Sequence, residues 1–351
     1  MKNYCAGKVF GSLCALLMFM LVQVVSVAWG AEMASEQFFQ GKTIRLIVPS
    51  SPGGGRDFYS RLLARSIKKY IPGNPTVVVM NMPGAGGEVA LSYLYNRAKP
   101  DGLTLSHGTT SMYRNRPLGM ATKYDLNKFT FIGTMPESSF LMVVRGDHPL
   151  KTFDEMFTSK KPIFWGAETA GSAGTHNLLG HTMQLMGANV ELVRGYRGTG
   201  PRRAALFRKE IDVTLERLAT ARPHLEEGTQ RLLLVLTHPK HVPAELKGNV
   251  ASWSEIKLSP ELRELSEFII TTSDLDKSFL LPPGVPPERI AILRQAFDQA
   301  VKDPEVAKAL KKLGAVGPPI SGVEMQEKIV PSILEISKGT KETVQKWVGK
   351  K

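Results

Sequence analysis

Ile44-Arg45-Leu46-Ile47-Val48-Pro49 runs into Ser50-Ser51-Pro52-Gly53-Gly54-Gly55, and then into Asp57-Phe58-Tyr59-Ser60-Arg61-Leu62-Leu63. The first run is strand-like and ends in a turn; the second is a loop of small residues. From 57 to 70, Phe58, Leu62, Leu63, Ile67 and Tyr70 recur at helical spacing. Pro72-Gly73-Asn74-Pro75 stops that helix. The same order then returns. Residues 76–80 read as a strand, 81–87 as a second small-residue loop, 89–98 as a helix and 103–106 as a third strand. Strands separated by helices in this way predict an open α/β layer with parallel strands.

A second series lies downstream. Residues 129–135 and 140–145 are strand-like, and Pro162-Ile163-Phe164-Trp165-Gly166 leads into Ala170-Gly171-Ser172-Ala173-Gly174-Thr175. A helix over 176–186, a strand over 189–193 and the loop Gly195-Tyr196-Arg197-Gly198-Thr199-Gly200 follow. A helix to about 209 and strands at 211–214 and 232–236 complete this series. Beyond the proline-rich 282–287 the pattern predicts helices at 288–301, 304–313 and 322–348. The layout is two α/β lobes plus a C-terminal helical run.

Three small-residue loops, at 50–56, 81–87 and 170–175, end at helix starts. The first amides of a helix lack internal partners, and the helix dipole adds partial positive charge there. Glycine and serine let an anion approach that backbone closely. One such loop needs no explanation beyond a tight turn. Three at corresponding positions point to an anion held between two lobes. A Cβ at Gly54 is then expected to block the approach and strain the turn.

At 351 residues, 42% apolar and 22% charged, the chain is long enough for two domains and too apolar to be disordered. Met1-Lys2-Asn3 and Lys8 precede an almost wholly apolar run from Val9 to Val27, which ends in the small residues Ser26, Ala28 and Gly30. That is the pattern of a cleaved secretory signal peptide over 1–30. It carries both cysteines, Cys5 and Cys14, so the exported chain is expected to have no disulfide, cysteine nucleophile or thiolate metal site. Without it 43 basic residues face 32 acidic ones, a surplus of 11 that suits anionic partners.

Enzyme signatures are weak. Neither N-terminal loop is a G-x-G-x-x-G, and no G-x-x-x-x-G-K-[ST] occurs. Ala170-Gly171-Ser172-Ala173-Gly174 approaches a nucleophile elbow but has alanine where the first glycine belongs. His176 and His181 are five apart, on different helix faces, and Pro239 separates His238 from His241. No metal site and no cofactor are expected. Arg194, Arg197, Arg202 and Arg203 crowd one loop and helix start, but only Tyr196 is interleaved with them, so nucleic-acid binding is not expected. Asp57 either pairs with Arg61 or caps the amides after the glycine loop, and capping is the preferred reading.

Pro52-Gly53-Gly54-Gly55-Arg56-Asp57 with Arg61, Asn81-Met82-Pro83-Gly84-Ala85-Gly86-Gly87 and Asp101-Gly102-Leu103-Thr104-Leu105 together resemble the signature of the tripartite tricarboxylate transporter substrate-binding proteins, also called the Bug family. Gly171-Ser172-Ala173-Gly174-Thr175-His176, Gly195-Tyr196-Arg197-Gly198-Thr199 and Lys302-Asp303-Pro304-Glu305-Val306 resemble its later segments. Gly195 stands where the family has proline, and 237–275 match poorly. The resemblance implies an α/β, two-lobed periplasmic binding protein-like fold with a ligand cleft between the lobes. One lobe is expected from 41–138 plus 267–351, the other from 139–266.

It further implies a non-enzymatic, monomeric periplasmic receptor. Such a protein captures a small organic anion, a carboxylate, and delivers it to integral membrane transporter subunits. The binding residues it implies are Ser50, Ser51, Gly53, Gly54 and Gly55 on one lobe and Gly171, Ser172, Ala173, Gly174 and Thr175 on the other, with Asp57 orienting the first loop. Arg202 and Arg203 are candidates for a second anionic group. The alternative readings are an exported α/β hydrolase using Ser172 and a ligand sensor that docks a membrane kinase.

Overall fold

The computed structural model describes residues 37–348 apart from 169–172, 197, 238–241, 243–245, 247–249 and 316. The expected signal peptide over 1–30 lies outside the described residues.

Two six-stranded mixed sheets form two lobes. In the first, β1 (Thr43–Val48) lies between β2 (Thr76–Asn81) and β3 (Thr104–His107), parallel to both. These are the strands anticipated as a parallel layer. The sheet continues from β3 through β11 (Ser278–Leu281) to β4 (Thr130–Thr134) and the short β12 (Ile320–Ser321). The second sheet has the order β10 (Ala251–Ser252), β9 (Gln230–Leu236), β5 (Phe140–Arg145), β8 (Val213–Arg217), β6 (Ile163–Gly166) and β7 (Val190–Val193).

Each sheet has a central strand that runs against both neighbours. In the second it is β5, and in the first it is β11. Both begin where the chain has just crossed from the other lobe. A strand that arrives that way carries no βαβ connection to its neighbours, so nothing obliges it to be parallel. Both are buried throughout their middles: Leu141, Met142, Val143 and Val144 in β5, and all of β11. Apolar side chains on both faces suit a strand with helices above and below.

The helices Gly55–Ile67, Glu88–Asn96 and Thr110–Asn115 follow β1, β2 and β3. Thr175–Leu185, Thr199–Phe207 and Leu218–Glu226 follow β6, β7 and β8. The short Thr110–Asn115 and the proline-bearing Leu218–Glu226 were not anticipated. Neither was Pro260–Asp274, whose first turn Ser259 caps by accepting from the Leu262 amide. The single helix expected over 322–348 is broken. A wide π turn at Met325–Ile329 precedes Pro331, which has no N–H to continue the ladder, and a separate helix, Lys338–Val348, follows. This last helix packs on Pro260–Asp274 and Thr175–Leu185, with Trp347 stacked on His181 at 5.0 Å.

Candidate functional site

A cleft of about 990 Å³ lies between the lobes. It opens at the carboxyl ends of the parallel strands, where loops and helix starts converge, as ligand crevices in open α/β sheets do. Ser50, Gly53, Gly54 and Gly55 line it from the first loop, Ala85 and Gly86 from the second, and Ala173, Gly174 and Thr175 from the third. Thr110 and Ser111, after β3, complete the first-lobe wall. Ser51 is exposed and does not line the cleft, and Asp57 lies buried behind the loop. Gly171 and Ser172 lie outside the described residues.

Asp57 is the third residue of its helix, so its carboxylate reaches backward. Oδ2 accepts from the Gly53 amide at 2.9 Å and from Arg61 Nε at 3.0 Å; Oδ1 accepts from Asn81 Nδ2 at 2.9 Å. Asn81 also donates to the Ser50 carbonyl at 3.0 Å. The two readings weighed for Asp57 are therefore both incomplete. It makes the ion pair with Arg61, and it holds an amide of the loop rather than one of its own helix. The Arg61 guanidinium and the Gly53 amide hold its carboxyl down at about 2. The expected strain at Gly54 is corrected as well. Its φ is −85°, open to any residue, and Gly53, at +82°, carries the left-handed turn.

The floor of the cleft is charged, and its charges satisfy one another. Glu137 sits at one crossover between the lobes, Asp276 and Lys277 at the other. Lys277 Nζ lies 2.8 Å from Glu137 Oε2 and 2.6 Å from Asp276 Oδ2. Asp276 also accepts from Arg56 and from Thr110 Oγ1. Tyr59 donates to Glu137 Oε1 at 3.2 Å, and Arg217 donates to the Ser138 carbonyl at 2.6 Å. Burial alone would raise both carboxyls; Lys277 and Arg217 outweigh it at Glu137, and Arg56 and Lys277 at Asp276, so both are shifted downward. Asp274, beside them, makes no ion pair among the described residues; burial outweighs the charge of Arg217 and pushes it up to about 6.

Arg114 ties the lobes together. It stands on the helix after β3 and is fully buried. Nη1 donates to the Ala173 carbonyl at 2.7 Å and to Thr175 Oγ1 at 3.2 Å; Nη2 donates to the Ile269 carbonyl at 2.9 Å and Ser273 Oγ at 2.8 Å; Nε donates to Thr272 Oγ1 at 2.8 Å. All five acceptors are uncharged. The cation thus sits at the cleft wall with no carboxylate in contact, and burial lowers its pKa to about 10.

The second-lobe wall is less complete. Arg203 is spent on the buried Glu216, to which Nε donates at 3.0 Å, so it is not free for a ligand. Arg202 faces the cleft, buried, with one long bond from Nη1 to the Tyr196 carbonyl at 3.5 Å and no partner for Nε. Glu168 lies over Gly174, where any Cβ would overlap its Oε2. Its Oε1 is 3.3 Å from His176 Nδ1, and its Oε2 is buried without a partner. His176 Nε2 is engaged with the Leu215 carbonyl at 3.0 Å. That nitrogen is the one a general base would turn to a nucleophile, so the pair does not suit the hydrolase reading.

Sequence reasoning found the loops and missed the charges: Arg56, Arg114, Glu137, Glu168, Arg217, Asp276 and Lys277. The available signal was an arginine or a carboxylate inside an otherwise apolar or small-residue run, as in Met112-Tyr113-Arg114 and Gly166-Ala167-Glu168. Among the described residues no group of three or more His, Cys, Asp or Glu is placed to hold a metal ion, and no helix is long and apolar enough to cross a membrane.

Residues 60–320 match the family model described as the tripartite tricarboxylate transporter family receptor. A Cupriavidus necator protein described as "UPF0065 protein in gbd 5'region" is 29% identical over 294 residues, which cover 81% of this chain and 82% of that protein. Two proteins of Rhodopseudomonas palustris share the fold. One, solved with adipate, has a TM-score of 0.64 at 22% identity, covering 88% of this chain and 97% of that one. The other, MatC with bound malate, has a TM-score of 0.58 at 22% identity, covering 88% and 98%. With nearly three quarters of its length matched by the family model, the chain belongs to the tripartite tricarboxylate transporter receptor family, a family of substrate-binding receptors.

Proposed function

We propose that this protein is an exported, periplasmic receptor that captures a small organic carboxylate between its lobes and presents it to the membrane subunits of a tripartite tricarboxylate-type transporter. The observation that carries the reading is where unmade hydrogen bonds gather. Among the described residues, Ser50 Oγ, Ser138 Oγ, Glu168 Oε2 and Arg202 Nε are all buried, partnerless and part of the cleft lining. Buried polar atoms are normally paired, and such exceptions mark places completed by a ligand or water. The start of Gly55–Ile67 adds amides that no side chain caps. Adipate and malate in the two structurally similar proteins support the ligand class.

In this reading the carboxylate lies between 50–55 and 171–175, and Asp57 keeps the first loop in shape. The lobes divide near 138 and again near 267. The crossovers then act as the hinge on which the lobes close. A thermal-shift screen against mono-, di- and tricarboxylates and aromatic acids tests it. A ligand at about a hundred times its dissociation constant adds roughly 2.7 kcal/mol of stability. No shift with any acid contradicts the reading. Delivery is tested by uptake into vesicles bearing the transporter subunits, with and without the receptor. Intact mass of the exported protein tests the signal peptide: a mass that includes residues 1–28 contradicts export by cleavage.

A further inference from the structure

Two opposite charges on the second-lobe wall face the cleft without pairing. Glu168 enters at the end of β6, and Arg202 stands in the first turns of the helix after β7. Each lies within the other's electrostatic reach, yet among the described residues Glu168 approaches only the imidazole of His176, whose pKa burial lowers, and Arg202 makes no ion pair. Glu168 keeps one oxygen without a donor, and Arg202 keeps Nε without an acceptor. A buried donor or acceptor left in this way is costly, and an acceptor and a donor within electrostatic reach of each other on one cleft wall can be completed together by one group that offers both.

The chemistry narrows that group. Arg202 suits a carboxylate oxygen, which takes hydrogen bonds from a guanidinium fork. Glu168 is held ionised: burial opposes this, but the His176 contact and the charges of Arg202 and Arg114 prevail. An ionised carboxylate accepts only, so what meets Oε2 must be an O–H or N–H. We propose that Glu168 and Arg202 form a subsite for a carboxylate with a hydrogen-bond donor on its neighbouring carbon, a 2-hydroxy or 2-amino acid. Gly174 belongs to this subsite because a side chain there would displace Glu168 from the wall. The assignment rests on the reading of the cleft as a carboxylate site and sharpens it from a class of anions to a substituted one.

The test uses matched sets of acids on the full exported chain: succinate, malate and aspartate; glutarate, 2-hydroxyglutarate and glutamate; propionate, lactate and alanine. Calorimetric titration should show a substituted member binding about tenfold or more tightly than its unsubstituted parent. Malate over aspartate, or the reverse, identifies the donor as hydroxyl or ammonium. Glu168→Gln should then remove most of that preference, read as the ratio of substituted to parent affinity, and an unchanged thermal unfolding profile shows that the variant is folded. Equal binding of parent and substituted acids in every set overturns the subsite and leaves the carboxylate reading standing. So does a preference that Glu168→Gln leaves intact. Binding of none of the nine overturns the carboxylate reading itself, and the subsite with it.

Discussion

The floor of the cleft and its second-lobe wall treat buried charge in opposite ways. On the floor, Glu137, Asp276, Lys277 and Arg56 close on one another across the two crossovers. On the wall, Glu168 and Arg202 lie near each other and leave bonds unmade. Two buried arginines make the same contrast: Arg114 uses five hydrogen bonds within the protein, and Arg202 uses one long one. On the proposed reading the difference separates framework from site: charges that complete each other hold the crossovers, and charges that do not are the ones proposed to meet a ligand.

Breaking the floor should cost stability most. Lys277→Met leaves Glu137 and Asp276 facing each other without their shared cation, and breaking a buried ion pair typically costs about 3–5 kcal/mol. The loss should be largest at neutral pH and shrink as the medium is acidified, because the two carboxyls can then take up protons. Denaturant unfolding at pH 7 and pH 4 checks this, and an equal loss at both pH values would place the effect elsewhere than in these charges.

Arg114→Met should come next, at about 3 kcal/mol, since several buried acceptors each lose a donor. Arg202→Gln should cost clearly less stability than Arg114→Met, since it gives up one long hydrogen bond rather than five, and weaken carboxylate binding about tenfold. If Arg202→Gln destabilises as much as Arg114→Met, the contrast between the two arginines fails.

Asp274 gives a smaller effect of opposite sign. Its folded pKa, about 6, lies above the ordinary aspartate value of 3.8, so the folded state holds this proton more tightly than the unfolded one. Stability therefore falls as pH rises from about 4 to about 6, and the cost is fully present above that window. Asp274→Asn should gain about 1 kcal/mol at pH 7 and nothing at pH 4 in the same unfolding measurement. Asp57 runs the other way. Its carboxyl is depressed to about 2, so the stability it contributes is complete above about pH 4 and is lost progressively as pH falls from about 4 to about 2.

The strand–loop–helix order was legible because it is local. Ile44–Val48 can be recognised as a strand and Ser50–Gly55 as a loop without knowing anything distant, and the structure places those loops around the cleft. The charges were not legible, because each matters only through a residue far along the chain. Arg56 meets Asp276, and Arg114 meets Ile269 to Ser273, across more than 150 positions. The capping reading of Asp57 stopped at its own helix, when the carboxylate serves the loop before it and Asn81 behind it. Pro260–Asp274 was hidden for a different reason: it lies in 237–275, where the resemblance is weakest, though Ser259-Pro260-Glu261 is a helix start readable on its own.

The account is tested most directly by a crystal structure of the protein with the tightest carboxylate from the titrations. It predicts the carboxylate between 50–55 and 171–175, with Ser50 Oγ, Arg202 and Glu168 now hydrogen-bonded and the Lys277 contacts to Glu137 and Asp276 unchanged. An acid seated instead on Lys277 and Arg56, with those ion pairs opened to receive it, would show that the floor is the site and the wall its frame.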